Sequence, residues 1–409
     1  MRAVLLAIIF VLSCVVHGNA ANSPEVQQIH DEVKSALLAG NFDRIDQIID
    51  AFHRDNARTA SGSLKAQIVY EALESVSFIY GGISHEILNR AEAQTDTWIA
   101  ARPHSRAARI AKAMMLTHRA WHARGTGYAD SVTPDQWKAF RLYNKQAKTY
   151  LELVKTDTAK DPQWYATMLM IARGLSRSEV DFEALADEAL EAYPHYLPIH
   201  WQIVRMNLPM WGGTAQTLEF WIDRIATASG SDENYARAYW VAADSFYYEV
   251  VFHDSDADWP RIKGGFDAMI RAYPTNWNLN NFARFACLAK DKEKTRELLG
   301  RLGAAIDANA WRIETMPAFC QDWSSKPNPE NLPEMEEVIL VEAYGRNKDG
   351  VLQGMVGPIE HPTETTALSQ ARFLAMVYEG VRAYRLVPNP LTGTYRRPII
   401  LYQSGVIPN

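Results

Sequence analysis

His118 and His122 stand four residues apart in a stretch of helical periodicity, which puts both imidazoles on one helix face within reach of a single metal ion. A zinc protease needs a glutamate beside the first histidine as general base, and Arg119 occupies that place. No third ligand is identifiable, so stacking and hydrogen bonding between packed helices is the simpler role for the pair. Asp254, Asp256 and Asp258 alternate after His253 as the oxygen ligands of a calcium loop do. The sixth position, where such a loop turns on glycine, is Trp259, and the twelfth, where glutamate closes it, is Gly265. An EF-hand is excluded. A solvated acidic connector ahead of the helix at Pro260 is expected instead, and no metal or cofactor is assigned.

Neither a nucleophile elbow, a glycine-rich phosphate loop, a Cys–His zinc spacing nor a Ser-x-x-Lys motif occurs where its structural context would make sense. What remains for chemistry is carboxylates and aromatics. A cleft between helices with one glutamate of raised pKa and aromatic platforms would suit glycan cleavage, but the 48 acidic residues are spread too evenly to single one out. Aromatic side chains are more informative. Trp201, Trp211, Tyr239, Trp240, Tyr247, Tyr248 and Trp277 are the candidates for a partner-binding groove. About two thirds of them are expected to serve the core instead, as large rings usually do.

The elements that must position these residues are helices. Residues 25–323 carry the 3.6-residue apolar period; Ile110, Met114 and Trp121 form one stripe, with Arg109, Lys112 and Arg119 between, an amphipathic helix. The breaks between helices recur in kind. DEALEAYP ends at Pro194 and DAMIRAYP at Pro274, 80 residues later, about two helical-hairpin units, and Ala101-Arg102-Pro103 is a weaker copy. Proline ends each helix because it cannot donate the next bond and pushes its predecessor out of the α region. New helices are expected over 196–206 and 277–290. The segment Leu208-Pro209-Met210-Trp211-Gly212-Gly213-Thr214 reads as a tight corner anchored by Trp211, with Thr214 capping the next helix.

This rhythm resembles degenerate tetratricopeptide repeats; Phe182, Ala186, Ala189 and Pro194 fit the end of one unit. The blocks YLPIHWQIVRMNLPMWGG (196–213), NNFARFACLAKDKEKTRELLGRLG (280–303) and FCQDW (319–323) resemble a bacterial family of tetratricopeptide-like proteins defined only as a domain of unknown function, over residues 90–323. The resemblance implies a helical fold and brings no activity or catalytic residue.

After the Pro- and Asn-containing stretch 326–333 the pattern changes. Residues 338–344 and 351–356 read as strands about a Lys348-Asp349-Gly350 turn; Thr365 or Thr366 caps a helix holding Leu368, Phe373, Met376 and Val377; residues 395–402 form a last strand, with Pro398 favouring an edge. The order β-β-α-β, with a helix end at Val381-Arg382-Ala383-Tyr384-Arg385-Leu386 and Leu391-Thr392-Gly393 before the last strand, resembles the C-terminal domain of the TonB and TolA envelope proteins.

Residues 1–20 have the order of a secretory signal: positive Arg2, an apolar run that continues past Cys14 through Val15 and Val16, then Gly18-Asn19-Ala20, with cleavage expected after Ala20. The run is too short to span a bilayer. A formal charge of −6 argues against a nucleic-acid surface, and 12 Trp, 18 Tyr and 14 Phe in a 47% hydrophobic chain argue against disorder. Cleavage would leave Cys287 and Cys320, either joined as a disulfide in an oxidising compartment or buried as thiols. The expectation is thus mainly α: a degenerate tetratricopeptide-like helical-hairpin solenoid (21–325) and a small C-terminal α/β domain (334–409). It would be periplasmic or secreted and bind a protein or peptide of the cell envelope, or else bind or cleave envelope glycan through a cleft glutamate.

Overall fold

The computed structural model describes residues 23–76, 85–125, 132–175, 180–326, 336–348, 350–389, 394–396 and 398–407. The signal segment with Cys14 and Ala20, most of the linker, Asp349 and Leu391-Thr392-Gly393 lie outside them. The chain forms two compact units, residues 1–321 and 322–409. Among the described residues no helix is long and apolar enough to cross a membrane.

The first unit is helical throughout. Its first half holds α1 (Pro24–Leu38), α2 (Phe42–Arg54), α3 (Lys65–Val76), α4 (His85–Ala101), α5 (Arg106–Arg124), α6 (Pro134–Leu153), α7 (Lys155–Thr158), α8 (Gln163–Gly174) and α9 (Phe182–Ala192). There follow α10 (Leu197–Met206), α11 (Ala215–Ser229), α12 (Asp232–Ala242), α13 (Val251–Asp254), α14 (Trp259–Ala272), α15 (Asn276–Leu288), α16 (Lys292–Leu302), α17 (Ala308–Trp311) and α18 (Met316–Ser325). The two YP breaks act alike. Tyr193 and Tyr273 close α9 and α14 with nearly the same backbone, φ −141° and ψ 62° against φ −134° and ψ 73°. Helices α10 and α15 then start where the proline rhythm places them.

Burial sorts the helices into two kinds. Helices α6, α9, α11, α14 and α16 bury one stripe, as amphipathic outer helices do. Helices α8, α12 and α15 bury residues around their whole circumference, and α5 nearly so, with Thr117 and His118 enclosed together with Ile110 and Met114. Helix α5 keeps the expected polar stripe, with Arg109, Lys112 and Arg119 half-buried, and encloses nearly everything else, so it is an inner helix with one narrow polar face. Asp161 ties three elements at the start of α8: it accepts from the Tyr70 hydroxyl at 2.6 Å and the Gln163 amide at 2.9 Å, with His53 Nε2 at 3.2 Å.

The 208–214 corner forms as read. Gly212 takes φ +85°, Gly213 sits where a Cβ would strike the Asn207 carbonyl, and Thr214 caps α11 in a reciprocal pair with Thr217. Cys287 of α15 and Cys320 of α18 are joined as a disulfide, with Cα atoms 6.0 Å apart.

The second unit is an antiparallel sheet of order β2-β1-β3-β6 with α19 (Glu364–Leu374) on one face. Its strands are β1 (Val338–Arg346), β2 (Leu352–His361), β3 (Gly380–Leu386) and β6 (Ile399–Gly405), and a two-stranded ribbon of β4 (Pro388–Asn389) and β5 (Thr394–Tyr395) precedes the last. Val341, Ala343, Val381 and Ala383 pack against Ala367, Ala371 and Leu374. Three expectations are corrected here. Val381 to Leu386 is strand β3 rather than a helix end, because Val381 and Ala383 alternate into the core and Gly380 lets the strand begin hard against the Val406 carbonyl. Thr363, not Thr365 or Thr366, caps the helix. The helix stops at Leu374, so Met376 and Val377, expected within it, lie beyond its end, and both are exposed, as is Phe373. Pro398 precedes β6, which is an edge strand and begins one residue later.

Candidate functional site

The loop ahead of α3 is where the first unit's two halves meet. Thr59 and Ser63 close it by a backbone hydrogen bond of 2.8 Å, and Gly62 turns it with φ +92° at a point where a Cβ would run into Arg237 and the Tyr273 ring. This exposes the Ser61 carbonyl to α12 and α15. Arg237 Nη2 donates to it at 3.3 Å and Asn278 Nδ2 at 3.2 Å. Arg237 is held from behind by Glu233, one turn earlier.

Beside that junction Trp201, Trp240 and Trp277 line a small solvent-open cleft, about 30 Å³, with Arg237 and Asn278. Trp240 and Trp277 stack with centroids 6.1 Å apart. Just beyond the end of α12 the chain borders a second pocket. Trp240 Nε1 donates to Asp244 Oδ2 at 2.9 Å, and Asp244 also receives Arg284 at 2.8 Å and Arg312 at 2.5 Å. Burial works to raise the Asp244 pKa, but the two guanidiniums outweigh it and hold the carboxyl below its ordinary range.

This second pocket, about 20 Å³, is bordered by Asp244, Tyr248, Glu249, Arg284, Trp311 and Arg312. The backbone around it is irregular. Ala243–Tyr247 is a π-helical turn; Tyr248 follows at φ +45° and ψ −118°, and Arg312 sits in the left-handed region at φ +63°. Asn280 fixes the far wall: its Oδ1 accepts from the Asp307 amide and Trp311 Nε1, and its Nδ2 donates to the Asn276 and Ala305 carbonyls. Met316, at the head of the disulfide-bonded α18, also borders the pocket.

The seven predicted groove residues therefore part company. Trp201, half-buried, shares the cleft with Trp240 and Trp277, which are themselves buried, and Tyr248 borders the second pocket. Tyr239 and Tyr247 are core residues, Tyr239 with its hydroxyl on Glu219. Trp211 is at the corner, edge-on to Trp121 with Arg173 over its ring. Asp254 ends α13 and Asp256 and Asp258 lie in the connector before α14, all three exposed. No group of three or more His, Cys, Asp or Glu able to hold a metal occurs among the described residues. Ser61, Arg237, Asp244, Asn278, Arg284 and Arg312 escaped the sequence reading.

A third place carries unusual electrostatics. Gln67, Glu71 and Glu74 follow one face of α3, and His118 Nε2 lies 3.8 Å from a Glu74 oxygen. Gln67 donates to Glu71 Oε1 at 3.3 Å, while Glu71 Oε2 is buried without a hydrogen-bond partner. Burial, reinforced by the neighbouring Glu74, pushes the Glu71 pKa up to about 8. By contrast, the cleft at the start of α5 has its charges paired internally: Arg102 with Asp43 and Asp46, Arg106 with Asp50.

Residues 30–177 match the model of a domain of unknown function (DUF4034). That segment contains the Ser61 loop and the Glu71 face; Trp201, Trp240, Trp277 and Arg284 lie beyond it. It overlaps the expected family resemblance only over 90–177, and the three blocks that suggested the resemblance fall outside it. No curated protein and no solved structure matches the chain.

Proposed function

We propose that this chain is an exported cell-envelope protein that binds an extended peptide along the groove between α12 and α15. The observation that carries the reading is the half-buried Trp201 at a small cleft backed by the buried Trp240–Trp277 pair, with Arg237 and Asn278 beside it. Aromatic faces give large apolar contact for little entropy, and a neighbouring set of buried polar groups supplies register. The repeated hairpins broken at Pro194 and Pro274 support a tetratricopeptide-like solenoid, the architecture that lines such grooves. In the second unit the edge strands β2 and β6 support a further contact by strand addition, in keeping with the TonB/TolA-like order of elements. Export rests on residues 1–20. A second reading, a glycan-cleaving enzyme, is favoured by Glu71, a carboxyl that keeps its proton at neutral pH beside a second glutamate.

A pool of N-acetyl pentapeptides randomised at every position tests the first reading, with retention by the full chain measured by equilibrium dialysis and mass spectrometry. Trp201→Ala is expected to reduce retention about tenfold, and Trp211→Ala, at the corner, to leave it unchanged. Equal retention by the native and Trp201→Ala chains would overturn the groove.

A further inference from the structure

The cleft between α2 and the start of α5 holds about 370 Å³, against about 30 Å³ beside Trp201. That volume is in the range of sites that take small molecules, about 300–1,000 Å³. Every residue lining it falls within the segment 30–177 that matches the domain model.

Its walls grade from buried to exposed. The Asp161 and Asp46 side chains, 2% and 13% exposed, form the floor with the buried Ile49 and Ala107, while Arg102, Arg106 and Asp50 stand at the mouth. The floor carboxylates are fully engaged: Asp161 by Tyr70, Gln163 and His53, and Asp46 by Ser105 Oγ at 2.6 Å and Arg102 Nε at 3.3 Å. The mouth keeps capacity in reserve. Arg106 Nη2 donates to Asp50 Oδ1 at 2.8 Å, and among the described residues nothing bonds Asp50 Oδ2 or the other N–H groups of that guanidinium.

This pairing decides the class of ligand. A cation would compete with Arg106 for Asp50 and with Arg102 for Asp46, and an anion would compete with the same carboxylates for the guanidiniums. A metal ion needs several acidic or imidazole ligands together, and no such group of three occurs among the described residues. A neutral polyol meets neither obstacle. Each hydroxyl both donates to a carboxylate lone pair and accepts from a guanidinium N–H, so the ligand bridges an ion pair without separating it. A pyranose adds an apolar C–H face, which Ile49 and Ala107 match on the floor. We infer that the cleft between α2 and the start of α5 binds a neutral sugar, its hydroxyls held by Arg102, Arg106 and Asp50. The site shares no residue with the Trp201 cleft or the Glu71 face, so it stands independently of both functional readings above.

Saturation-transfer NMR titration of the full chain with the methyl glycosides of glucose, galactose, mannose and N-acetylglucosamine tests this. At least one is expected to bind with a Kd of about 1 mM or tighter. Arg106→Ala and Asp50→Ala should each weaken that glycoside about tenfold. Both side chains reach solvent, so neither change threatens the fold. Asp187→Ala, which breaks a surface pair with Arg224 outside the cleft, should leave the affinity unchanged. Sodium phosphate and methylammonium chloride at equal concentration should not displace the glycoside. Binding of none of the four, or equal affinity in the native chain and both mouth variants, overturns the assignment. Displacement by phosphate or by methylammonium makes the cleft an ion site and overturns the sugar. The groove's own test reads peptides, so failure of either site leaves the other standing.

Discussion

Asp244 and Glu71 are both carboxyls enclosed by helices of the same unit, yet one is held ionised and the other protonated at neutral pH. Depth does not separate them, since burial raises the pKa of each. Partners do. Asp244 has two guanidiniums and an indole N–H, and the surroundings spend backbone strain to bring them in. Glu71 has a glutamine amide on one oxygen, nothing on the other, and Glu74 one turn along; keeping its proton is the cheaper state. Asp244 therefore serves to hold two guanidiniums in place, whereas Glu71 holds a proton.

Breaking the Asp244 centre should give the largest effect. Asp244→Asn leaves Arg284 enclosed without its counter-ion, which costs about 3–5 kcal/mol when a buried pair loses one member. Urea unfolding would show this as a lower midpoint at unchanged slope. A loss below about 1 kcal/mol would mean that Arg284 regains water and the pocket is not dry.

The contrast sharpens with pH at Glu71. Its folded pKa of about 8 lies above the ordinary 4.5, so its contribution to stability is fully present below pH 4.5 and is lost as pH rises through 8. The slope within that window approaches about 1.4 kcal/mol per pH unit for one proton. Glu71→Gln, an uncharged stand-in, should flatten the profile between pH 5 and 8, with little change at the acid end. Equal slopes in the two proteins would show that Glu71 ionises freely. Under the glycan-cleaving reading the same variant should also abolish release of soluble fragments from peptidoglycan.

How far the sequence exposes these sites follows from what each residue type normally signals. The helix ends at Ala192 and Ala272 were legible because proline acts locally, and so were the Thr214 cap and the cysteine pair. Trp240 and Trp277 were legible as aromatics, but their sorting from Tyr239 and Tyr247 depends on which face of an all-round buried helix opens to a cleft, and α12 shows no amphipathic stripe to betray it. Arg284 and the asparagines of α15 look like a solvated face; they are buried because Asn280 and Asn281 bond to carbonyls one turn back and Arg284 meets a carboxylate 40 residues away. Glu71 is hidden for the same reason, as its surroundings come from elements remote in sequence. In the second unit, residues 381–386 are a stretch of six, with arginines at 382 and 385, too short for periodicity alone to assign, and the pairing with β1 decides it.

The smallest effect tests whether the groove's strain is kept for a purpose. Tyr248 has φ +45° and ψ −118°, a conformation that glycine adopts freely and a side chain bearing Cβ does not. Strain of this kind costs on the order of 1–3 kcal/mol, while glycine gives back about 0.5–1 kcal/mol through its more disordered unfolded chain. Half of the Tyr248 ring is exposed, so truncation forfeits little packing. Tyr248→Gly should therefore gain about 1 kcal/mol of stability, read as a higher urea midpoint. If the tyrosine is retained for the pocket it borders, the same variant should retain the pentapeptide pool less well than the native chain, so that stability and binding move in opposite directions. A variant that is less stable than the native chain would show that the π turn sets this backbone without strain.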